Sequence, residues 1–248
     1  MLSRFGEIGR LPARLLFPPI CQGCDAILTE PGTLCPICWS SVRFLEEPWC
    51  AVLGVPFAHD LGDGIVSADA IANPPDFDRA RSAVVHDGVA RRIAQALKYN
   101  DRTDLAPSMA RWIARAGAEL VADADLVIAV PLHRRRFLSR RFNQSAELAR
   151  ALARLAGKPL GAGVVLRTRH THQQVGLTAR ERDDNVRGAF AVPKEREIDV
   201  RGRRILVVDD VFTTGATVSA VARALKRKGA AGVDVLTFSR VMPGDALG

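Results

Sequence analysis

The run ILVVDDVFTTGAT, Ile205 to Thr217, passes from apolar to acidic to hydroxylic within a few residues. Ile205 to Val208 show no polar–apolar alternation, as expected of a strand covered on both faces. Asp209 and Asp210 then fall at the strand's carboxyl end, where open α/β sheets bind ligands. Thr213, Thr214, Gly215, Ala216 and Thr217 follow, and a helix is expected to begin among them. Small residues let backbone N–H groups approach a ligand closely, and a helix N-terminus favours negative charge. The threonine hydroxyls add donors, so this loop reads as a phosphate cradle. The two carboxylates would repel that phosphate and need hydroxyl donors or a cation instead. A ligand with phosphate at one end and a diol or metal at the other, such as ribose 5-phosphate, satisfies both halves.

The rest of the chain supplies the frame. From Arg81 onward, strands and helices alternate: SAVVHD as a strand, ARRIAQALKYN as a helix with an Ile93, Ala94 and Leu97 stripe, and a helix from about Asp104 to Val121. DLVIAVP reads as a buried strand stopped by Pro131, followed by the basic loop LHRRRFLSRRFN and a helix from about Gln144 to Leu155. After a long polar segment come a short strand GAFAV, the strand RRILVVDD, the helix TGATVSAVARALKRKG and the strand VDVLTFSRV. Strands separated by helices imply an α/β fold with a mostly parallel sheet flanked by helices. No internal repeat or low-complexity tract stands out.

Other readings of the acidic strand fail on their own motifs. No G-x-x-x-x-G-K-[ST] accompanies it, and Gly157-Lys158 is followed by proline. No G-x-G-x-x-G follows a strand. A phosphoacceptor domain uses paired acids but gives no reason for TTGAT. A turn that is acid- and threonine-rich without function is the bland alternative.

The segment from 18 to 50 holds all five cysteines. Cys21-x-x-Cys24 and Cys35-x-x-Cys38 form two pairs, the arrangement that one tetrahedral, structural Zn2+ requires, and so short a segment gains much of its folding energy from the metal. Free or redox-active thiols are the alternative. Residues 51 to 80, dotted with glycine, proline and aspartate, read as linker or irregular structure. The expected division is therefore a four-cysteine zinc-ribbon-like module over 1–50, a linker over 51–80 and an α/β domain over 81–242.

Four apolar residues, Asp-Asp, two residues and Thr-Thr-Gly-x-Thr resemble the phosphoribosyl pyrophosphate (PRPP) signature of type I phosphoribosyltransferases. ALKYND at 96–101, RRFNQS at 140–145, and T-x-x-Q-x-x-L with ER-x-x-NVRGAF between Thr171 and Phe190 are similar to the competence protein F (ComF) family of such domains. The resemblance implies that Asp209 and Asp210, as the catalytic pair, hold the ribose hydroxyls without either acting as a general base. It implies that Thr213, Thr214, Gly215 and Thr217 hold the 5′-phosphate. Lys98, Arg140, Arg141, Asn143 and Gln144 match pyrophosphate-side motif positions, although Arg141 stands where the family has glycine, a residue that permits positive φ. Gln174, Arg182 and Asn185 match positions in the 167–187 segment, which reads as a lid. Mg2+ is implied as the companion of PRPP. Arg134 to Arg136 are either anion contacts or a solvated run, and His170 and His172 read as solvent-facing. The family often carries two further cysteine pairs. Here Cys50-Ala-Val-Leu53 resembles a third pair without its second cysteine, and no fourth follows, so a second zinc is not expected.

With 48% hydrophobic and 25% charged residues, the composition is that of a soluble globular chain. No apolar run reaches the ~20 residues of a membrane span, and the proline-broken opening does not read as a signal peptide, so the cytoplasm is expected. The net charge of +8 suits an anionic partner, although the base composition of a genome can produce the same excess of arginine over lysine and abundance of alanine. Two functions remain open. One is a Mg2+-dependent phosphoribosyltransferase with an unidentified acceptor and a role in DNA uptake. The other is a non-catalytic accessory protein binding single-stranded DNA or other competence proteins. A PRPP sensor without turnover is a third.

Overall fold

The computed structural model describes residues 18–99, 102–132, 142–168 and 188–242. In chain order these form α1 (Pro36–Ser40), α2 (Ala68–Ala72), β1 (Arg79–Val85), α3 (Gly88–Tyr99), α4 (Ala106–Ala116), α5 (Ala118–Asp123), β2 (Leu126–Ala129), α6 (Gln144–Ala156), β3 (Leu166–Arg167), β4 (Phe190–Ala191), β5 (Arg204–Phe212), α7 (Ala216–Lys226) and β6 (Gly232–Arg240). Short 3-10 turns precede α4 and β5. Among the described residues, no helix is long and apolar enough to cross a membrane.

Four strands form one parallel sheet in the order β1-β6-β5-β2. Strand β6 is buried along its whole length, as a central strand with helices over both faces must be. Alternate residues of β5 feed two cores. Leu206 and Val208 join Leu236, Phe238 and the apolar stripes of α3, α4 and α6, while Ile205 and Val207 join Val233, Val235 and the stripe of α7. The stripe of α3, Val89, Ala90, Ile93, Ala94 and Leu97, has the spacing of one helical face. A small antiparallel pair, β3 with β4, flanks the segment expected as a lid.

The helix expected over Asp104 to Val121 is two helices. Gly117 breaks it where β6 passes beneath, and a Cβ at Gly117 would lie 2.5 Å from Leu236 Cδ1. Strand β5 also runs further than expected, pairing Asp209 with Thr237 and Val211 with Ser239 before ending at Phe212. The carboxylates therefore sit inside the last part of the strand. In the stretch read as linker, α2 forms and β1 begins at Arg79.

At the amino end of the sheet, Asp234 is fully buried and ties three strands together. It accepts hydrogen bonds from Arg79 Nε at 3.0 Å, Arg79 Nη2 at 2.7 Å and Arg204 Nη1 at 3.2 Å. Removing one member of a buried ion cluster leaves its partners' charge uncompensated, at a cost of about 3–5 kcal/mol. Asp234→Ala is expected to lose about that much stability in urea-induced unfolding, whereas exposed Arg115→Ala, at the edge, is expected to lose under about 1 kcal/mol.

Candidate functional site

The carboxyl ends of β1, β5 and β6 and the amino end of α6 converge on the aspartate pair. Asp209 is half-buried, and its Oδ1 accepts a hydrogen bond from Ser145 Oγ at 2.7 Å and one from Asp210 N–H at 3.0 Å. Ser145 is held there by Asn143, the N-cap of α6, whose Oδ1 accepts from Ser145 N–H at 3.1 Å while its Nδ2 donates to Val130 O at 3.0 Å. Asp210 is buried, and its Oδ1 accepts from Val211 N–H at 3.0 Å. Its other oxygen, Oδ2, is buried without a hydrogen bond and faces Lys98 Nζ at 3.8 Å. Buried polar atoms nearly always find partners, so an orphaned carboxylate oxygen marks a place where a donor is expected.

Burial, and then repulsion by Asp210, raises the Asp209 pKa to about 7 against the opposing pull of the Ser145 hydroxyl. His86, just beyond β1, sits at the same edge with Nδ1 2.8 Å from Ser239 Oγ. Its pKa is lowered by burial, with Asp210 pulling the other way and Arg91 and Lys98 adding to the lowering. Neither His86 nor Ser145 was singled out by the sequence. His86 stands at the end of a strand, the position that carries site residues in this class of sheet, and that was the signal available.

The loop after β5 turns through Gly215, the N-cap of α7, at φ 79°. An added Cβ there would lie 2.8 Å from Phe212 Cζ, so conformation and space both require glycine. Thr213 is half-buried and Thr214 exposed, with Thr214 Oγ1 accepting from Ala216 N–H at 3.4 Å. Thr217 lies half-buried in the first turn of α7. Lys98 is thus brought to the aspartates, and Asn143 reaches them through Ser145. Gln144 is buried, with Oε1 lacking a hydrogen bond. Arg140, Arg141, Gln174, Arg182 and Asn185 lie outside the described residues, as do Arg134 to Arg136, His170 and His172.

The second cluster is metallic in character. The sulfurs of Cys21, Cys24, Cys35 and Cys38 all lie within 4.8 Å of one another, with Cys24 and Cys35 3.7 Å apart. Four thiolates about 2.3 Å from a tetrahedral zinc stand roughly 3.8 Å from each other, so the donor set fits that ion. Cys21 Sγ accepts from Gly23 N–H at 3.4 Å and Cys35 N–H at 3.2 Å. Burial works to raise the Cys21 pKa, but these donors outweigh it and bring it down to about 6. Burial and the neighbouring thiols push Cys38 up to about 12. A central cation removes that conflict by favouring the thiolate at every position.

This cluster is continuous with the main core. Cys21, Cys35 and Cys38 pack in one cluster with Val89, Ile93 and Met109. Gly23 is pressed between Val89 and Cys38, where a Cβ would come within 2.8 Å and 2.9 Å, and Arg92 Nε donates to Gly23 O at 2.8 Å. Stripping zinc with a chelator is therefore expected to lower the melting temperature of the whole chain in a single transition. A ribbon-only transition, with the α/β unit unchanged by calorimetry, is the contrary result.

Comparison with known proteins agrees with both halves. The double zinc ribbon domain matches residues 13–70, and the phosphoribosyl transferase domain matches residues 143–242. The DNA utilization protein YhgH of Salmonella typhimurium is 31% identical over 239 residues, covering 94% of this chain and 95% of that protein. Competence protein F of Haemophilus influenzae is 33% identical over 116 residues, 47% of this chain and 50% of that protein. Among solved structures, an orotate phosphoribosyltransferase from Aeropyrum pernix is 21% identical, with a TM-score of 0.34 over 64% of this chain and 80% of that one. With a four-cysteine zinc ribbon packed against a type I phosphoribosyltransferase fold, the chain belongs to the competence protein F family.

Proposed function

We propose that this chain binds PRPP at the carboxyl end of β5 and transfers its phosphoribosyl group to an acceptor, in a cytoplasmic role connected with DNA use. The observation that carries this reading is the buried Asp210 Oδ2, without a hydrogen bond beside Lys98 and one short loop away from Gly215 and its threonines. The buried carboxylate oxygen suits a hydroxyl donor, and the small-residue loop at the start of α7 suits a phosphate. PRPP carries both on one ribose.

In this reading Asp209 and Asp210 accept hydrogen bonds from the ribose 2′- and 3′-hydroxyls. Backbone and hydroxyl donors of Thr213, Thr214, Gly215 and Thr217 hold the 5′-phosphate. Lys98, with His86 behind it, faces the pyrophosphate. As the bond from the anomeric carbon to pyrophosphate breaks, its electron pair leaves with pyrophosphate and positive charge grows on the ribose. The acceptor's lone pair then forms the new bond at that carbon. The aspartates stabilise the growing positive charge and Lys98 the leaving negative charge. Mg2+ brought in with PRPP would supply further positive charge at the pyrophosphate. Asn143 and Gln144 act one step back, positioning α6 so that Ser145 fixes Asp209. Arg140 and Arg141 are assigned to pyrophosphate, and Gln174, Arg182 and Asn185 to a lid, by family resemblance alone.

A second reading, a single-stranded DNA-binding accessory protein, is favoured by the relatives' names and the net charge of +8. Titration calorimetry with PRPP and Mg2+ separates the two. The wild type is expected to bind, and the Asp209→Asn, Asp210→Asn variant to lose at least about 100-fold, because two charge-assisted hydrogen bonds of about 1.5–3 kcal/mol each are weakened. Absence of binding by the wild type, with oligonucleotide binding in both proteins, would leave the DNA-binding reading.

The raised Asp209 pKa adds a pH signature. If PRPP takes the ionised carboxylate, its affinity is expected to rise about tenfold from pH 6 to pH 8 and then level off. The same shift makes Asp209 a burden on the fold. Between about pH 4 and pH 7 the folded chain keeps a proton that the unfolded chain releases, so stability falls as pH rises through that window. Asp209→Asn is therefore expected to raise the melting temperature at pH 8 and to leave it nearly unchanged at pH 4.

A further inference from the structure

The sequence shows no internal repeat, but the backbone does. Around the four-thiol cluster, Cys21 N–H donates to Ala26 O at 2.8 Å, Asp25 N–H to Cys21 O at 3.0 Å and Leu28 N–H to Pro19 O at 2.7 Å. Further along, Cys50 N–H donates to Val55 O, Gly54 N–H to Cys50 O and Phe57 N–H to Pro48 O, each at 2.8 Å. The antiparallel bridge between Ile20 and Ile27 reappears between Trp49 and Pro56. The bond from Gln22 N–H to Thr33 O at 3.3 Å is matched by one from Ala51 N–H to Ile65 O at 2.8 Å. Asp25 and Gly54 both turn left-handed, at φ 61° and 64°.

The correspondence continues into the short helix that closes each unit. Cys35 N–H reaches Cys21 Sγ at 3.2 Å, and Ser67 N–H reaches Cys50 Sγ at 3.2 Å. Cys35 Sγ caps α1 by accepting from Cys38 N–H at 3.4 Å, and Ser67 Oγ caps α2 by accepting from Ala70 N–H at 3.4 Å. What differs is the inner connection: Cys21 and Cys35 are 14 residues apart, Cys50 and Ser67 17. Cys21 is thereby equated with Cys50, Cys24 with Leu53, Cys35 with Ser67 and Cys38 with Ala70.

We propose that residues 48–72 are a second ribbon that stands without a metal, and that Leu53→Cys, Ser67→Cys and Ala70→Cys together would turn it into a zinc site. The matching domain family is a double zinc ribbon, yet Leu53 and Ala70 carry no lone pair and structural zinc takes four ligands. The second donor set does not fit the ion.

Three features replace the metal. Cys50, fully buried, acts as the hydrogen-bond hub, with its Sγ accepting from Leu53 N–H at 3.4 Å as well as from Ser67. Burial works to raise its pKa, but the Ser67, Leu53 and Val52 donors outweigh it and leave the thiol below its ordinary value. The ribbon is also sewn to strand β1, where Ala80 N–H donates to Val52 O at 2.7 Å and Arg81 Nη1 to Ala51 O at 3.0 Å. Gly54 lies so close beneath β1 that a Cβ would be 2.3 Å from Ala80 O. Finally, Leu53 packs on the core beneath α7, and Ala70 is buried.

Elemental analysis of the purified, metal-replete full chain tests this. The wild type is expected to hold about one zinc per chain, and about two would overturn the proposal. Cys50→Ala is expected to keep about one, because Cys50 ligates nothing, and loss of that zinc would equally overturn it. The Leu53→Cys, Ser67→Cys, Ala70→Cys variant is expected to hold about two, with the thiolate-to-cobalt absorption of the Co2+-loaded protein roughly doubled. If that variant keeps the wild-type circular dichroism but still holds one metal, the second unit is not a ribbon. Should it fail to fold, the wild-type and Cys50→Ala zinc counts decide alone.

Discussion

Two carboxylates are held side by side at the exit of a strand that has almost no water on either face. That arrangement is costly, and the surrounding structure is organised to sustain it. Ser145 at the start of α6 donates to Asp209, backbone N–H groups take one oxygen of each acid, and Lys98 brings a positive charge to within 3.8 Å of Asp210. One buried oxygen is still left without a hydrogen bond. That orphaned oxygen, rather than the family label, carries the functional argument.

The zinc ribbon and the site are linked through one helix. The first turn of α3 presses Val89 against Gly23 and Cys38, and its last turn carries Lys98. The metal-held loops thus fix the pitch of a helix whose far end points a cation at Asp210. The metal-free unit grips β1, the edge strand whose carboxyl end leads to His86. The amino-terminal segment braces the end of the sheet that carries the aspartate pair.

The two ribbons show how far backbone hydrogen bonding alone can carry a metal-binding shape. The same turns, bridge and cap form in each. One closes around four thiols, and the other around a single thiol that only accepts N–H bonds. The difference lies in what each leans on. The first packs its sulfurs on α3 and α4, and the second closes under β1 through Val52, Gly54 and Arg81 and packs Leu53 on the other core.

Much of this was legible in the sequence for a plain reason: strong local signals coincide with sheet topology. An unbroken apolar run had to be a strand buried on both faces, and Gly215 at φ 79° had to be a turn into a helix. Paired Cys-x-x-Cys spacing marked the four-thiol cluster. The break at Gly117 was not legible, since it is set by Leu236, far away in the chain. Nor were the roles of His86 and Ser145: parallel pairing brings the end of β1 beside β6 and β5, and the packing of α6 sets Ser145, within the RRFNQS motif, against Asp209. Of the ribbon repeat only Cys50 and Leu53 were legible, by resemblance to a third cysteine pair, because three of its four marker residues have changed while the backbone pattern persists. The sequence by itself determined which segments are buried and where charge must sit. Tertiary structure alone decided which of those charges meet, because that depends on strand order and helix placement, which no local pattern encodes.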